Sequence, residues 1–202
     1  MLAPERLSRK FAWIYNLRFN LSQDVEGLEK SYIKDMHIRL AELSDAQAIT
    51  ILINAAFRKA EGFLIDRDRI DLNSVQQFFE SGKFLLAEDD GCGTLQSRSL
   101  LGCVYVEQRG DRSYLGMLSV DPSRQKAGLG ATLMSAAEEY CTKAGCLFMD
   151  LQIINLREEL PHFYHRLGYV ETGTASLTPN IKPKQPCHFI KMSKRLAVDA
   201  KA

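Results

Sequence analysis

From residue 36 onward, apolar and polar positions fall into blocks with two distinct periods. The run His37-Ile38-Arg39-Leu40-Ala41-Glu42 alternates and predicts a half-buried strand. Ser44 and Gln47 stand three apart, the spacing of a capping box, and Ile49, Leu52, Ile53 and Ala56 then recur at helical spacing. A polar stretch over 59–71, with Glu61, Arg67 and Arg69, leads to a short second helix that turns Val75, Phe78 and Phe79 inward and ends near Gly82. Residues 84–88 read as a strand, and Asp90-Gly91-Cys92-Gly93 opens a loop. Two further strands over 100–106 and 114–120 are joined through Arg109-Gly110-Asp111, a hairpin signal.

Beyond Val120, Asp121-Pro122-Ser123 breaks the apolar run, and a helix follows to about Ala144. Leu129, Leu133, Ala137 and Tyr140 share one of its faces, while Glu138, Glu139 and Lys143 are expected to face water, with Glu139 and Lys143 as an i, i+4 pair. Gly145 stops it. A strand over 147–154 then runs parallel to the one before the break, if a right-handed crossover joins them. Pro161 is harmless only in a first turn, so the next helix starts near Glu158 or Glu159 and ends at Gly168. Strands from Tyr169 and from His188 flank a proline-bearing loop over 178–186, and residues after Arg195 read as a tail.

Residues 1–35 differ from this pattern. Arg6, Arg9, Lys10 and Arg18 surround Phe11, Trp13, Ile14, Leu17 and Phe19, a basic amphipathic pattern that suits a presequence or a membrane-surface helix. Glu5 and the acidic segment 24–29 weigh against both, and an extra helix or an extension before Met36 is the preferred reading. The division expected is therefore an extension over 1–35, one domain over 36–195 and a tail over 196–202. With 202 residues and 46% hydrophobic content, one substantial core is expected. The 26 basic and 25 acidic residues leave a net charge of +1, which gives no footprint for nucleic acid. No apolar run is long enough to cross a bilayer. Five cysteines without a CxxC pair point to reduced thiols in a cytoplasmic protein and to no metal site.

The candidate chemistry lies in the turn at 121–130. Gly128 and Gly130 have no Cβ, so a ligand can approach their backbone closely. The helix that follows leaves its first amides unpaired and adds partial positive charge, which suits an anion, and Arg124 and Lys126 add formal charge nearby. The plain alternative is an ordinary strand-to-helix connection. A dinucleotide fingerprint, with Asp150 as its acidic residue, fails: Leu133 occupies the third glycine position and the turn is too long. Asp150 is then an ordinary polar residue on the solvated side of its strand.

The spacing Gln125-x-x-Gly128-x-Gly130 resembles the pyrophosphate loop of the GNAT superfamily of acyl-CoA N-acyltransferases, and Phe163-Tyr164-His165-Arg166-Leu167-Gly168-Tyr169 resembles its late helix motif. The order of elements from 36 to about 195 is similar as well. The resemblance implies a mixed, mostly antiparallel sheet of six or seven strands flanked by about four helices, with a parallel pair around the cofactor site. It implies acetyl-CoA as acyl donor and an amine of a small molecule or peptide as acceptor, and it allows a homodimer. Leu118, Ser119 and Val120 would hold the pantetheine arm; Gln125, Lys126, Ala127, Gly128, Leu129, Gly130 and Ala131 would hold the diphosphate. Asn155 matches a cofactor-contact position, although nine residues separate it from Tyr164, more than the usual spacing.

Tyr164 matches the family tyrosine that protonates the departing thiolate; outside the motif it is a packed aromatic. Tyr114 stands where many members carry a basic glutamate, which leaves Glu107 on the preceding strand as candidate base or as an exposed carboxylate. His162 and His165 read as helix-surface residues. Arg58, Arg67, Arg69, Lys182 and Lys184 fall in segments that rim the acceptor side in similar proteins. They are either solvated charge or selectors of a carboxylate- or phosphate-bearing acceptor. A protein that binds acyl-CoA without turning it over is the rival reading.

Overall fold

The computed structural model describes residues 36–89, 99–125, 128–177 and 183–196. The expected extension, Cys92, Lys126, Ala127, Lys182 and the last six residues lie outside them. The elements in order are β1 (Met36–Leu40), a 3-10 turn (Leu43–Asp45), α1 (Ala46–Glu61), α2 (Leu72–Ser81), β2 (Lys83–Asp89), β3 (Ser99–Arg109), β4 (Arg112–Val120), α3 (Leu129–Lys143), β5 (Phe148–Ile154), α4 (Glu159–Arg166), β6 (Val170–Ala175) and β7 (Phe189–Arg195). Seven strands form one sheet in the order β1-β2-β3-β4-β5-β7-β6. The β2–β3, β3–β4, β5–β7 and β6–β7 pairs are antiparallel and β4–β5 is parallel, as the sequence predicts.

The period-2 alternation in β3 sorts its side chains to two faces. Cys103 and Tyr105 join Phe84, Leu86, Ile49, Ile53 and Val75 in a core beneath α1 and α2. On the opposite face a Cβ at Gly102 would touch Leu133 and Leu129, which places α3 there. Around Tyr105 the rings of Phe78 and Phe84 lie at centroid distances of 4.6 and 5.1 Å. Arg39 of β1 forks between Asp45 and Glu88, both at 2.7 Å, tying the first strand to the 3-10 turn and to β2.

Several local expectations shift. The reciprocal capping box is made by Glu42 and Asp45, not by Ser44 and Gln47, and α1 runs on to Glu61, into the stretch read as polar loop. Glu138 is not a water-facing residue: its carboxylate accepts from Tyr169 Oη at 3.0 Å and Lys194 Nζ at 2.6 Å. Glu139 and Lys143 do form their i, i+4 pair, at 2.5 Å. Leu196 is buried and donates its N–H to Leu147 O, so ordered packing reaches one residue past β7.

Candidate active site

Two irregularities in β4 shape the site. The first is a bulge: Cys103 pairs with Ser119 and Tyr105 with Gly116, so Met117 and Leu118 together oppose Val104. Met117 takes φ +52°, a left-handed conformation that a side chain resists, and its carbonyl accepts from Ser119 Oγ at 3.1 Å. The second is a fork in the sheet. Parallel pairing of β4 and β5 covers only Arg112–Phe148, Ser113–Met149 and Tyr114–Asp150, after which β5 continues beside β7 alone. The edge of 116–120 that faces β5 therefore has no strand against it.

A cleft of about 740 Å³ opens beside this edge. Leu118, Ser119 and Val120 form one wall, Ala56, Phe57 and Ala60 of α1 another, and Leu160, Phe163 and Arg166 with Arg157 a third. Gln125, Gly128, Leu129, Gly130 and Ala131 close its end. Gly128 caps α3 at φ +77°; among the described residues a Cβ there would meet nothing within 4 Å, and at Gly130 only Phe163 Cζ lies within that range, at 3.8 Å. The glycines thus border open space and not packed protein. Among the described residues nothing accepts from the amides of Leu129, Gly130 and Ala131; the first internal bond of the helix is Thr132 N–H to Gly128 O, 3.1 Å. Three amides without an acceptor among the described residues thus stand with the helix dipole at the cleft end, and Arg166 adds a full charge. This donor set fits a diphosphate, and the apolar wall fits an extended arm.

Tyr164 is 6% exposed, packed edge-on against Phe163 and Tyr169 at centroid distances of 5.0 and 5.8 Å. Its hydroxyl has no hydrogen-bond partner among the described residues. Burial pushes it up to about 12, with Arg157 pulling the other way. Glu107 lies directly across from Tyr114 but off the cleft wall. Arg109 holds it by two bonds of 2.8 and 2.9 Å, which keeps its carboxyl below the usual range and makes it a weaker base. Asn155 spends its side-chain oxygen on His188 N–H at 2.8 Å and is not part of the wall.

Of the residues expected to hold a cofactor, the structure gathers Leu118, Ser119, Val120, Gln125, Gly128, Leu129, Gly130 and Ala131 around one cleft, while Lys126 and Ala127 lie outside the described residues. Sequence reasoning missed Phe57 and Arg157, which line it, and Glu61, which is buried beside Arg157 Nη1 at 3.5 Å. Burial raises the Glu61 carboxyl, against the opposing pull of Arg69 and Arg157. Extending the helical phase of Ile53 and Phe57 by one more turn would have brought Glu61 to the inner face.

Comparison with known proteins agrees with this geometry. The family model for the acetyltransferase (GNAT) family matches residues 47–169. An uncharacterised N-acetyltransferase of Bacillus subtilis, YhfO, is 30% identical over 159 residues, covering 74% of this chain and all of the relative. Among solved structures, a Salmonella typhimurium protein with its cofactor acetyl-CoA superposes with a TM-score of 0.63 at 21% identity, over 82% of this chain and 96% of that one. Spermidine N-acetyltransferase from Vibrio cholerae, in complex with CoA and spermine, gives 0.62 at 16% identity, over 81% and 96%. At those identities the structural likenesses establish the fold.

Proposed function

The chain belongs to the GNAT acetyltransferase family, and from that membership we propose that it transfers an acetyl group from acetyl-CoA to a primary amine of a small molecule or peptide by direct attack on the thioester. The observation that carries this reading is the fork after Tyr114 and Asp150, which opens onto the same cleft as the N-terminus of α3, whose first three amides have no acceptor among the described residues. Acetyl-CoA supplies the activated acetyl thioester when bound.

The residues of this chain divide the remaining work. The amides of Leu129, Gly130 and Ala131, with Arg166, hold the diphosphate; the unpaired edge around Leu118 and Val120 holds the pantetheine and polarises the carbonyl. Phe57, Leu160 and Phe163 exclude water. The acceptor ammonium loses a proton, its nitrogen bonds to the carbonyl carbon, and the C–S bond breaks. Tyr164 gives its proton to the departing sulfur and regains one from the acceptor nitrogen, so that amide, thiol and one released proton are the products. A buried phenol is well suited to this step because it stays neutral at pH 7. The unpaired core thiols of Cys103, Cys141 and Cys146 accord with a cytoplasmic setting.

The ion-paired state of Glu107 favours one alternative, an acyl-CoA sensor without turnover. A thiol-release assay with acetyl-CoA and a panel of amines separates the two. Thiol release that requires an amine is the expected result; calorimetric binding without release leaves the sensor, and absence of binding overturns both.

A further inference from the structure

Behind Phe57 of the cleft wall one cation is held in place without a partner among the described residues. The loop over 62–71 is pinned to α1: Leu64 and Ile70 are buried, and Asn54 donates to Ile70 O at 2.8 Å while accepting from Ile70 N–H at 3.1 Å. This fixes Arg69, whose guanidinium carbon lies 4.9 Å from the ring centroid of Phe57, a residue of the cleft wall. Arg69 Nε is buried without a partner, and among the described residues no carboxylate pairs with this guanidinium. Its neighbours are engaged otherwise. Arg58 pairs with Asp68, Lys184 reaches Gly62 O and Asp66, and Arg157 is shared by Glu61 and Glu159.

A buried carboxylate close by, Glu61, is held in an ion pair with Arg157. Glu61 is 7% exposed, and its nearest charged partner, Arg157 Nη1 at 3.5 Å, is too far for a good hydrogen bond. Arg69, Arg157, Glu159 and Cys187 are the charged and titratable groups around it. The charge of Arg69 also acts on Tyr114, and Tyr114 and Arg157 act on Tyr164. A ligand that left the Arg69 guanidinium unpaired would bind poorly, whereas a carboxylate satisfies it.

We propose that the acceptor is a small amine that also carries a carboxylate, an amino-acid type of substrate, with its carboxylate on the Arg69 fork beside Phe57 of the cleft wall. The inference rests on the N-acetyltransferase reading. A planar guanidinium matches a carboxylate by two parallel bonds. A phosphate would call for a second cation, and Arg157 is already committed.

The test compares kcat/KM for the twenty protein amino acids with their α-carboxamides, which keep the amine and lose the charge. The preferred amino acid should exceed its carboxamide by at least about 30-fold. Arg69→Gln should reduce that ratio to within about threefold, and Arg69→Lys, which keeps charge without the fork, should fall between. The acetyl-CoA Kd of each variant certifies the fold. Equal rates for acid and carboxamide, or an unchanged ratio in Arg69→Gln, overturn the proposal while leaving the transferase. No thiol release from any amine overturns both.

Discussion

Tyr114 and Asp150 are the last residues at which β4 and β5 face each other; past them the two strands part. The fork is clamped at its base by the same strands. Arg112 of β4 donates to Asp150 of β5 at 2.6 Å from Nε and to Ser193 Oγ of β7 at 2.9 Å. Burial works against ionised Asp150, but the bonds from Arg112 and Ser193 outweigh it and hold its carboxyl below the usual value. A lowered carboxyl stabilises the fold above its unfolded value, and this is lost as pH falls through the native one. Both side chains are more than a third exposed, so screening trims the effect. Asp150→Asn should lose about 0.5–1 kcal/mol at pH 7 and nothing once wild-type Asp150 is itself protonated, as urea unfolding across pH will show.

Gly128 separates strain from steric exclusion. At φ +77° any side chain is strained by about 1–2 kcal/mol, yet among the described residues nothing stands within 4 Å of a Cβ there. Gly128→Val should therefore lower stability by about that strain and no more. Its acetyl-CoA Kd should rise beyond about tenfold, because the added methyls occupy the space meant for phosphate. Thermal melts and calorimetry on the same sample measure the two effects.

The unpartnered hydroxyl of Tyr164 makes a similar separation possible. Tyr164→Phe should cut kcat by about 10²–10³-fold, the range for a lost proton donor, with acetyl-CoA Kd unchanged. Stability at pH 7 should stay within about 1 kcal/mol of wild type, since no hydrogen bond is broken. Burial raises this phenol to about 12, so its contribution to folding is full below its unfolded value near 10 and is lost as pH rises through about 12. The variant should lack that part of the alkaline decline. An unchanged kcat would remove Tyr164 from the chemistry.

The parts legible in sequence were those coded by local pattern. Period-2 runs and the breaker Asp121-Pro122-Ser123 located β4 and the turn, and the glycines at 128 and 130 marked the approach to α3. The bulge at Met117 was not legible, because Met-Leu carries no turn chemistry and the left-handed residue is imposed by pairing with β3. Glu138 was read as solvated because its partners, Tyr169 and Lys194, lie 31 and 56 residues away. Asp150 was read as solvated for the same reason: its partner Arg112 comes from another strand. The cleft wall from α1 escaped notice because Phe57 and Glu61 border a stretch whose composition reads as loop, although the helix continues through both.

Glu61 supplies the last prediction, through the sign of its shift. Its carboxyl is raised, chiefly by burial, and the pull of Arg69 and Arg157 does not offset this. A raised acid favours the fold fully below its unfolded value, about 4.3, and that stabilisation is lost as pH rises through the higher native value. At neutral pH the native protein therefore carries a net penalty from this ionised side chain. Glu61→Gln keeps the shape and removes the charge, so its melting temperature should match wild type near pH 4 and exceed it at pH 7. A variant that melts lower at pH 7 would mean that the ion pair with Arg157 outweighs desolvation, and Glu61 would then be a stabilising counter-charge for Arg157 instead of a buried charge the fold tolerates at a cost.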